Sequence, residues 1–243
     1  GARTPASPDP CSPASTPPGG PSATDAAPAT GVIDLLALIC YGELSAFERL
    51  ADDSKLAPTL ADKVALARLA SLEFGHVAGL QQRLVELGVD PYEAMGPFQQ
   101  AIDSFHAHTA PADWLEGLVK AYVGDGLAGD FYVEIAGLVD NRTKEVIVAS
   151  QRDAGHAEFV VDRVRSAIEQ EPSVAGRLAL WGRRLMGEAL SQAQRVAADR
   201  WALSELVAGT PERPGLDLAE LGRMFQRLTE RHVERMGRLG LDA

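Results

Sequence analysis

A carboxylate followed three residues later by a histidine occurs twice in this chain, inside segments that otherwise have the apolar periodicity of buried helices. The first segment, LEFGHV, holds Glu73 and His76, and the second, RDAGHA, holds Asp153 and His156. Residues three apart on a helix lie on one face one turn apart, so each pair can direct an oxygen and a nitrogen at one point. Ionisable groups buried without partners are costly, so we expect a metal ligand or a hydrogen-bond network to satisfy these pairs.

Apolar residues recur at steps of three and four along almost the whole chain after residue 30, which is the pattern of amphipathic helices. The predicted helices cover about residues 32–51, 59–87, 113–139, 142–169, 173–207 and 217–239. A proline-containing connection, residues 88–112, separates the second helix from the third and holds a short helix. Short link, long link, short link is the connectivity of an all-α, ferritin-like four-helix bundle with one long crossover, on which two additional C-terminal helices would pack.

Composition divides the chain into three parts. Residues 1–30 are rich in Pro, Ser and Ala and contain no aromatic residue, so they are predicted to be a disordered tail. They also lack the basic start and the apolar stretch of a signal peptide. Residues 31–171 would form the bundle, and residues 172–243 the C-terminal helical pair.

Charge and hydropathy exclude several classes of protein. No uninterrupted apolar run approaches the ~20 residues that span a bilayer. The two cysteines, Cys11 and Cys40, do not suggest a disulfide framework. A net charge of −11 argues against binding a polyanion over the whole surface. These features predict a cytoplasmic protein with no membrane partner.

A second repeat supplies further carboxylates. The segments YGELSAF and VGDGLAG align so that Glu43 matches Asp125, at nearly the same offset as the two carboxylate–histidine pairs. In a helical hairpin, two residues at one level have the midpoint of their numbers in the connecting turn. The midpoint of Glu43 and Glu73 is Pro58, and that of Asp125 and Asp153 lies at the predicted turn after the third helix. Both pairs therefore satisfy hairpin geometry.

The third helix offers two other acidic residues, Asp130 and Glu134. Glu134 lies about 180° around the helix from Asp125, so the two cannot both point inward. Asp130 satisfies the hairpin geometry tolerably. The internal repeat favours Asp125 as the ligand and leaves Asp130 and Glu134 as neighbours of the ligands or as part of a solvated face.

The segments YGELSAFERL, DWLEGLVKAYVGDGLAGDFY and DAGHAEF resemble the ferritin-like di-iron carboxylate superfamily over about residues 32–169. Within it the chain is most similar to the MiaE-like proteins of high-GC bacteria, relatives of tRNA hydroxylases. In such bundles two helices supply one carboxylate each, and the other two supply carboxylate-x-x-His. Asp125 and Asp153 stand where glutamates are usual, and since aspartate is one methylene shorter, we expect that half of the site to be looser.

The resemblance implies a metal site of six residues, Glu43, Glu73, His76, Asp125, Asp153 and His156. Glu73 and Asp153 would bridge two irons as the catalytic carboxylates, Glu43 and Asp125 would bind one iron each, and the histidines would supply neutral nitrogens. Manganese is the alternative metal. The implied activity is that of an oxygen-activating hydroxylase or oxidase, which needs dioxygen and an external electron donor. Transfer RNA is the implied substrate of the MiaE type, and a homodimer is left open.

Two other classes of function use the same residues. One is iron handling, by ferroxidation or storage without an organic substrate, and the other is a non-catalytic ferritin-like scaffold. If tRNA is the substrate, arginines of the fifth helix, among them Arg183 and Arg184, would bind its phosphates.

Further residues have simpler interpretations. His106 and His108 are predicted to be surface residues of a loop, and His232 to be solvated. Cys40 is predicted to be a small core residue, although it lies on the inward face of the first helix. Tyr122 would either pack in the core or hydrogen-bond a ligand.

Overall fold

The computed structural model describes residue 1, residues 29–152 and residues 156–243, excepting the side chains of residues 156 and 157. Of the tail predicted for residues 1–30, only residues 1, 29 and 30 lie within these ranges.

The described residues are helical almost throughout, with one two-stranded antiparallel pair. The helices are α1 (Thr30–Asp53), α2 (Leu60–Glu86), α3 (Pro91–Met95), α4 (Gln99–His108), α5 (Trp114–Ala136), α6 (Asn141–Ser150), α7 (His156–Gln170), α8 (Val174–Asp199), α9 (Trp201–Ala208) and α10 (Leu218–Arg238). Short 3-10 turns cover Ser54–Leu56 and Gly96–Phe98, and the strands are β1 (Gly209–Thr210) and β2 (Arg213–Pro214).

The ends of α2 follow from local side-chain chemistry. Thr59 Oγ1 accepts a hydrogen bond from the backbone N–H of Asp62 at 3.1 Å, which satisfies one of the free donors of the first turn. Gly88, just after the helix, has a φ of +76°, a left-handed conformation that favours glycine. These two residues fix where α2 begins and ends.

The fourth predicted helix, residues 142–169, is interrupted in the structure. α6 ends at Ser150, Gln151 and Arg152 are not helical, and α7 begins at His156. The Ser150 hydroxyl donates to the carbonyl of Ile147 at 2.8 Å, and the Gln151 amide donates to Ser150 Oγ at 2.9 Å. Side-chain hydrogen bonds of this kind compete with the helical backbone pattern, and apolar periodicity contains no sign of them.

The fifth predicted helix, residues 173–207, is divided into α8 and α9 at Arg200. Arg200 donates to both carboxylate oxygens of Asp34 in α1, at 2.6 and 3.0 Å. The Ser204 hydroxyl donates back across the break to the carbonyl of Ala197 at 2.8 Å. A long-range ion pair therefore lies at the residue where helical continuity is lost.

The helices form a bundle of α1, α2, α5 and the α6–α7 pair. α1 packs most extensively on α2, α2 packs on α6, and α5 contacts α1, α6 and α7. α3 and α4 lie in the crossover, α8 and α10 pack on α5, and α9 packs on α1. The predicted all-α bundle with one long crossover is confirmed.

Apolar side chains form two clusters along this bundle. One includes Leu50, Leu66, Ala70, Leu118 and Leu178, and the other Leu36, Cys40, Val77, Leu80 and Phe98. The two clusters meet in α1 between Cys40 and Leu50, and in α2 between Ala70 and Val77. Glu43, Glu73 and His76 lie at this boundary, so the fold places polar groups between two apolar halves.

Among the residues that the structure describes, one helical segment is long and apolar enough to cross a membrane by length and composition. This is Thr30–Leu56, with a mean hydropathy of 1.5 in its most apolar window, half of which is buried inside the fold. The core helix of a bundle meets the same criterion.

Candidate metal centre

Glu43 from α1 and Glu73 and His76 from α2 direct their polar atoms at one region between the two helices. His76 Nδ1 lies 3.2 Å from Glu43 Oε2 and 3.5 Å from Glu73 Oε2. One ligand atom from each of the three residues lies within 4.8 Å of the other two. The i to i+3 spacing of Glu73 and His76 therefore acts as the sequence pattern predicts, and the α1–α2 hairpin brings Glu43 to the same level.

The three ionisable side chains of this group lie close together and are largely buried. Burial raises the pKa of Glu43 to about 8, although the hydrogen bond with His76 acts in the opposite direction. Hydrogen bonds to Glu43 and to Glu73 raise the pKa of His76 to about 10. Both carboxylates therefore favour a positive charge at His76 Nδ1.

The donor set fits a first-row transition metal. Two carboxylates and one imidazole suit a divalent cation of this class, and their ligand atoms converge on one region. The proton that the carboxylates favour on His76 lies among these same atoms, so a cation that displaces it would also be attracted to both glutamates. The described residues thus bring together three of the six ligands predicted from the sequence, in a group that could hold a metal ion.

Asp125 enters the same region from α5 and lines the cavity into which the group opens. Its accessible surface faces this cavity, while protein surrounds it closely enough that burial raises its pKa well above the usual range. The charges of Glu73 and then Glu43 raise this pKa further. Asp125 is therefore within electrostatic range of the carboxylates on α1 and α2, but it is not a member of the compact group of three.

The two alternatives on α5 point elsewhere. Asp130 accepts a hydrogen bond from Arg235 Nη2 at 2.7 Å, and Arg227 donates to both oxygens of Glu134 at 3.0 and 2.6 Å. Both arginines belong to α10, so Asp130 and Glu134 join α5 to α10 and lie away from the compact group.

The second carboxylate–histidine pair lies outside what the structure describes. Asp153 is not among the described residues, and the side chain of His156 is not described. Their assignment as ligands stays a prediction from the sequence.

Two polar residues near Glu43 were not selected from the sequence. Gln151 Nε2 donates to Glu43 Oε1 at 2.7 Å, from the break between α6 and α7. The Tyr132 hydroxyl lies beside Gly42, and burial together with the charges of Glu43 and Asp125 raises the pKa of this tyrosine. Tyr132 is seven residues after Asp125, hence on the same face of α5, and this spacing was an available signal.

The group opens on a cavity of about 1070 Å³, lined mostly by apolar side chains of α1, α5, α8 and α10. A concave, mostly apolar space beside a few convergent polar groups is typical of small-molecule binding sites.

Three residues outside the group need comment. His106 is part of α4 and lines the cavity, and burial lowers its pKa to about 3, so its prediction as a surface loop residue was wrong. His232 is buried at 3% exposure and is not solvated. Cys40 is buried, with Sγ 3.9 Å from the carbonyl of Val77, as expected for a core residue.

Comparison with known proteins agrees with this architecture. The sequence model of a family described as "Ferritin-like domain, actinomycetes" matches residues 27–210. Among solved structures, the fold is similar to a protein from Synechococcus with aldehyde deformylating oxidase activity, with a TM-score of 0.66 and 21% identity over 89% of this chain and 94% of that chain. At this identity the likeness concerns the fold alone. No curated protein matches the chain.

Proposed function

This chain belongs to the ferritin-like domain family of actinomycetes, and from that membership and the site geometry we propose that it is a di-iron, oxygen-dependent oxidase acting on an apolar substrate. The observation that carries the proposal is the opening of the Glu43, Glu73 and His76 group onto a cavity of about 1070 Å³. The similar Synechococcus protein has an oxidase activity, which supports the class of reaction.

Glu43, Glu73 and His76 would hold one metal ion, and Asp125, Asp153 and His156 would complete a second position. When bound, iron supplies the chemistry of dioxygen activation, with electrons from an external donor; manganese is the alternative metal. The glutamates would balance the charge of the cation, and His76 Nδ1, without its proton, would be the nitrogen ligand. The hydrogen bond from Gln151 restricts the orientation of Glu43.

The apolar lining has a chemical role of its own. With a substrate bound, it would exclude water from the reacting centre, which strengthens the electrostatic contacts made there. Tyr132 lines the same cavity, and burial, followed by the charges of Glu43 and Asp125, raises its pKa, so its hydroxyl would keep its proton near this centre.

Partners follow from this chemistry. Dioxygen and an external electron donor are required, and the proposed setting is the cytoplasm. A homodimer is compatible with the proposal and is not needed by it.

A tRNA hydroxylase of the MiaE type is the narrower form of the proposal. It requires a basic face for phosphates, for which the exposed α8 arginines Arg183 and Arg184 are the candidates. Both donate to backbone carbonyls, Arg183 to that of Ala243 and Arg184 to that of His108. Ferroxidation is the second alternative, since it needs the metal group and no organic substrate.

Metal content provides the first test. We expect purified protein to bind two irons per chain and ferrous iron to raise its unfolding temperature. Glu73→Gln should lower the iron content and the thermal response, because one carboxylate of the proposed site is lost. Glu86→Gln is the matched control, since Glu86 lies on the same helix and pairs with Arg83 and Arg142. Protein that is purified without metal, and whose unfolding temperature does not change when ferrous iron is added, would contradict the proposal.

Oxygen consumption separates the remaining classes. An oxidase of apolar substrates should consume dioxygen faster when a long-chain substrate is added to the iron-loaded, reduced protein. Uptake that depends on ferrous iron alone would favour ferroxidation. Tighter tRNA binding than in an Arg183→Glu, Arg184→Glu variant, with a steeper salt dependence, would favour the tRNA hydroxylase.

A further inference from the structure

The cavity carries a positive group that the metal chemistry does not use. Arg235 extends from α10 across Gly126 of α5, so closely that a Cβ added at Gly126 would lie 2.1 Å from Arg235 Nε. Its Nη2 donates to Asp130 at 2.7 Å. Its Nη1 is buried and has no hydrogen-bond partner among the residues that the structure describes.

A buried guanidinium nitrogen without an acceptor is unfavourable, because it loses its hydrogen bonds to water and gains none in the protein. Charge at this place is also unbalanced. Three α10 arginines, Arg227, Arg231 and Arg235, face two α5 carboxylates, Asp130 and Glu134. Among these five side chains there is one more positive charge than negative, and Arg235 Nη1 is a buried donor without an acceptor among the described residues.

An apolar stripe leads away from this group along α10. Leu221, Met224 and Leu228 line the cavity on the same face of the helix as Arg231 and Arg235. At ~1.5 Å per residue the stripe from Leu221 to Arg235 is about 21 Å long, which is close to the extended length of a long acyl chain. Residues of α8, including Met186 and Leu190, line the cavity as well.

We infer that the cavity binds a long-chain monocarboxylate, with its carboxylate on Arg235 and its hydrocarbon chain along the α10 stripe. One negative charge balances the excess, and the carboxylate oxygens accept from Nη1. Because Gly126 follows Asp125 in α5, the carboxylate of the ligand would lie on the side of the cavity that Asp125 and Gly126 line. This inference rests on the proposed function only in naming the substrate class; the binding site itself does not require iron.

The first test compares an acid with the corresponding alcohol on the wild-type protein. Titration calorimetry with dodecanoate and with 1-dodecanol should show one site per chain, with the acid bound at least about tenfold more tightly, as expected for a charge-assisted pair. Octanoate should bind more weakly than dodecanoate, because less of the stripe is covered. Equal affinities for the acid and the alcohol would overturn the inference without any variant.

Two variants locate the preference. Arg235→Met combined with Asp130→Asn removes the guanidinium without leaving a carboxylate unpaired. The preference for the acid should fall by about tenfold while 1-dodecanol binding is unchanged. Arg223→Met is the control, since Arg223 is an exposed α10 arginine that does not line the cavity. A preference that survives in the double variant would contradict the assignment to Arg235.

A backbone variant displaces Arg235 without changing charge. Gly126→Ala would push the guanidinium aside and should reduce the acid preference, whereas Gly124→Ala adds a Cβ that meets nothing within 4 Å. Iron content is measured on the same samples. Acid binding in a protein that takes up no iron would contradict the proposed oxidase and support the carboxylate site. Iron uptake without a preference for the acid would contradict the carboxylate site and support the oxidase.

Discussion

Glu43 is held at both of its carboxylate oxygens. Oε2 lies 3.2 Å from His76 Nδ1, and Oε1 accepts from Gln151 Nε2 at 2.7 Å. The two partners come from α2 and from the α6–α7 break, so one side chain joins three helical segments of the bundle. Since burial raises its pKa, this carboxylate depends on the charge of its neighbours to remain ionised.

Gly31 in α1 and Gly75 in α2 differ in how closely a neighbouring helix approaches them. Gly75 precedes His76, and a Cβ added there meets nothing within 4 Å. At Gly31 an added Cβ would lie 2.5 Å from the carbonyl oxygen of Ala202 in α9. Gly31 is thus a residue at which two helices come close together, and Gly75 is not.

We therefore expect opposite effects of alanine at these two positions. Gly75→Ala should stabilise the iron-free protein by roughly 0.5–1 kcal/mol, because alanine loses less backbone entropy in a helix. Gly31→Ala should destabilise it by about 1–3 kcal/mol, because α9 must move away from α1. Urea denaturation of both variants measures the difference. A loss of stability in Gly75→Ala would contradict this expectation and would mean that a neighbouring segment packs closely against Gly75.

At the scale of elements, the attachment of α9 to α1 depends on an ion pair. Asp34 is 3% exposed, and Arg200 meets it with two hydrogen bonds at the α8–α9 break. Arg200 also lies over the ring of Phe98, with its guanidinium carbon 5.5 Å from the centroid. The pair fixes the position of α9 and, through it, one wall of the cavity.

Removing one member of this pair should be costly. Asp34→Asn should lower the free energy of unfolding by about 2–3 kcal/mol; the value is at the low end for a buried pair because Arg200 is about one-third exposed. Asp52→Asn, which breaks the exposed pair with Lys55, should cost less than about 0.5 kcal/mol. Chemical denaturation of both variants tests this contrast, and similar costs would mean that the Asp34 pair is not structural.

At the scale of the whole molecule, His106 in the lining of the cavity contributes to the response of stability to acid. Burial, followed by the charges of Lys120 and Arg49, lowers the pKa of His106 to about 3. Unfolded histidine titrates near ~6.5. Below that pH the unfolded chain binds a proton at His106, whereas the folded protein does not. Stability is therefore lost as the pH falls from about 6.5 toward 3.

His106→Gln should remove this part of the pH dependence. Between pH 7.5 and pH 5.0, the variant should lose up to roughly 2 kcal/mol less stability than the wild type. Urea denaturation at the two pH values gives the measurement. A packing effect alone would change stability equally at both pH values, and this result would contradict the charge explanation.

Much of the α1–α2 half could be predicted from residues close together in sequence. The spacing of Glu73 and His76 places them on one face, and the midpoint at Pro58 brings Glu43 to their level. The sequence of α5, by contrast, offers three acidic residues as candidate ligands, namely Asp125, Asp130 and Glu134. The arginines of α10 engage Asp130 and Glu134, and no local pattern on α5 reveals a partner about 100 residues later in the chain.

What the sequence determined by itself is the set of helices, the single long crossover and the pairing of a carboxylate with a histidine three residues later. These depend on periodicity and on spacing within one element or one hairpin. The tertiary structure decided the rest: the breaks at Gln151 and Arg200, the different surroundings of Gly75 and Gly31, and a large cavity that Arg235 and other cations line. Each of these depends on contacts between distant helices, whose free energies depend on the relative positions of the elements and exceed the small local preferences that a sequence pattern records.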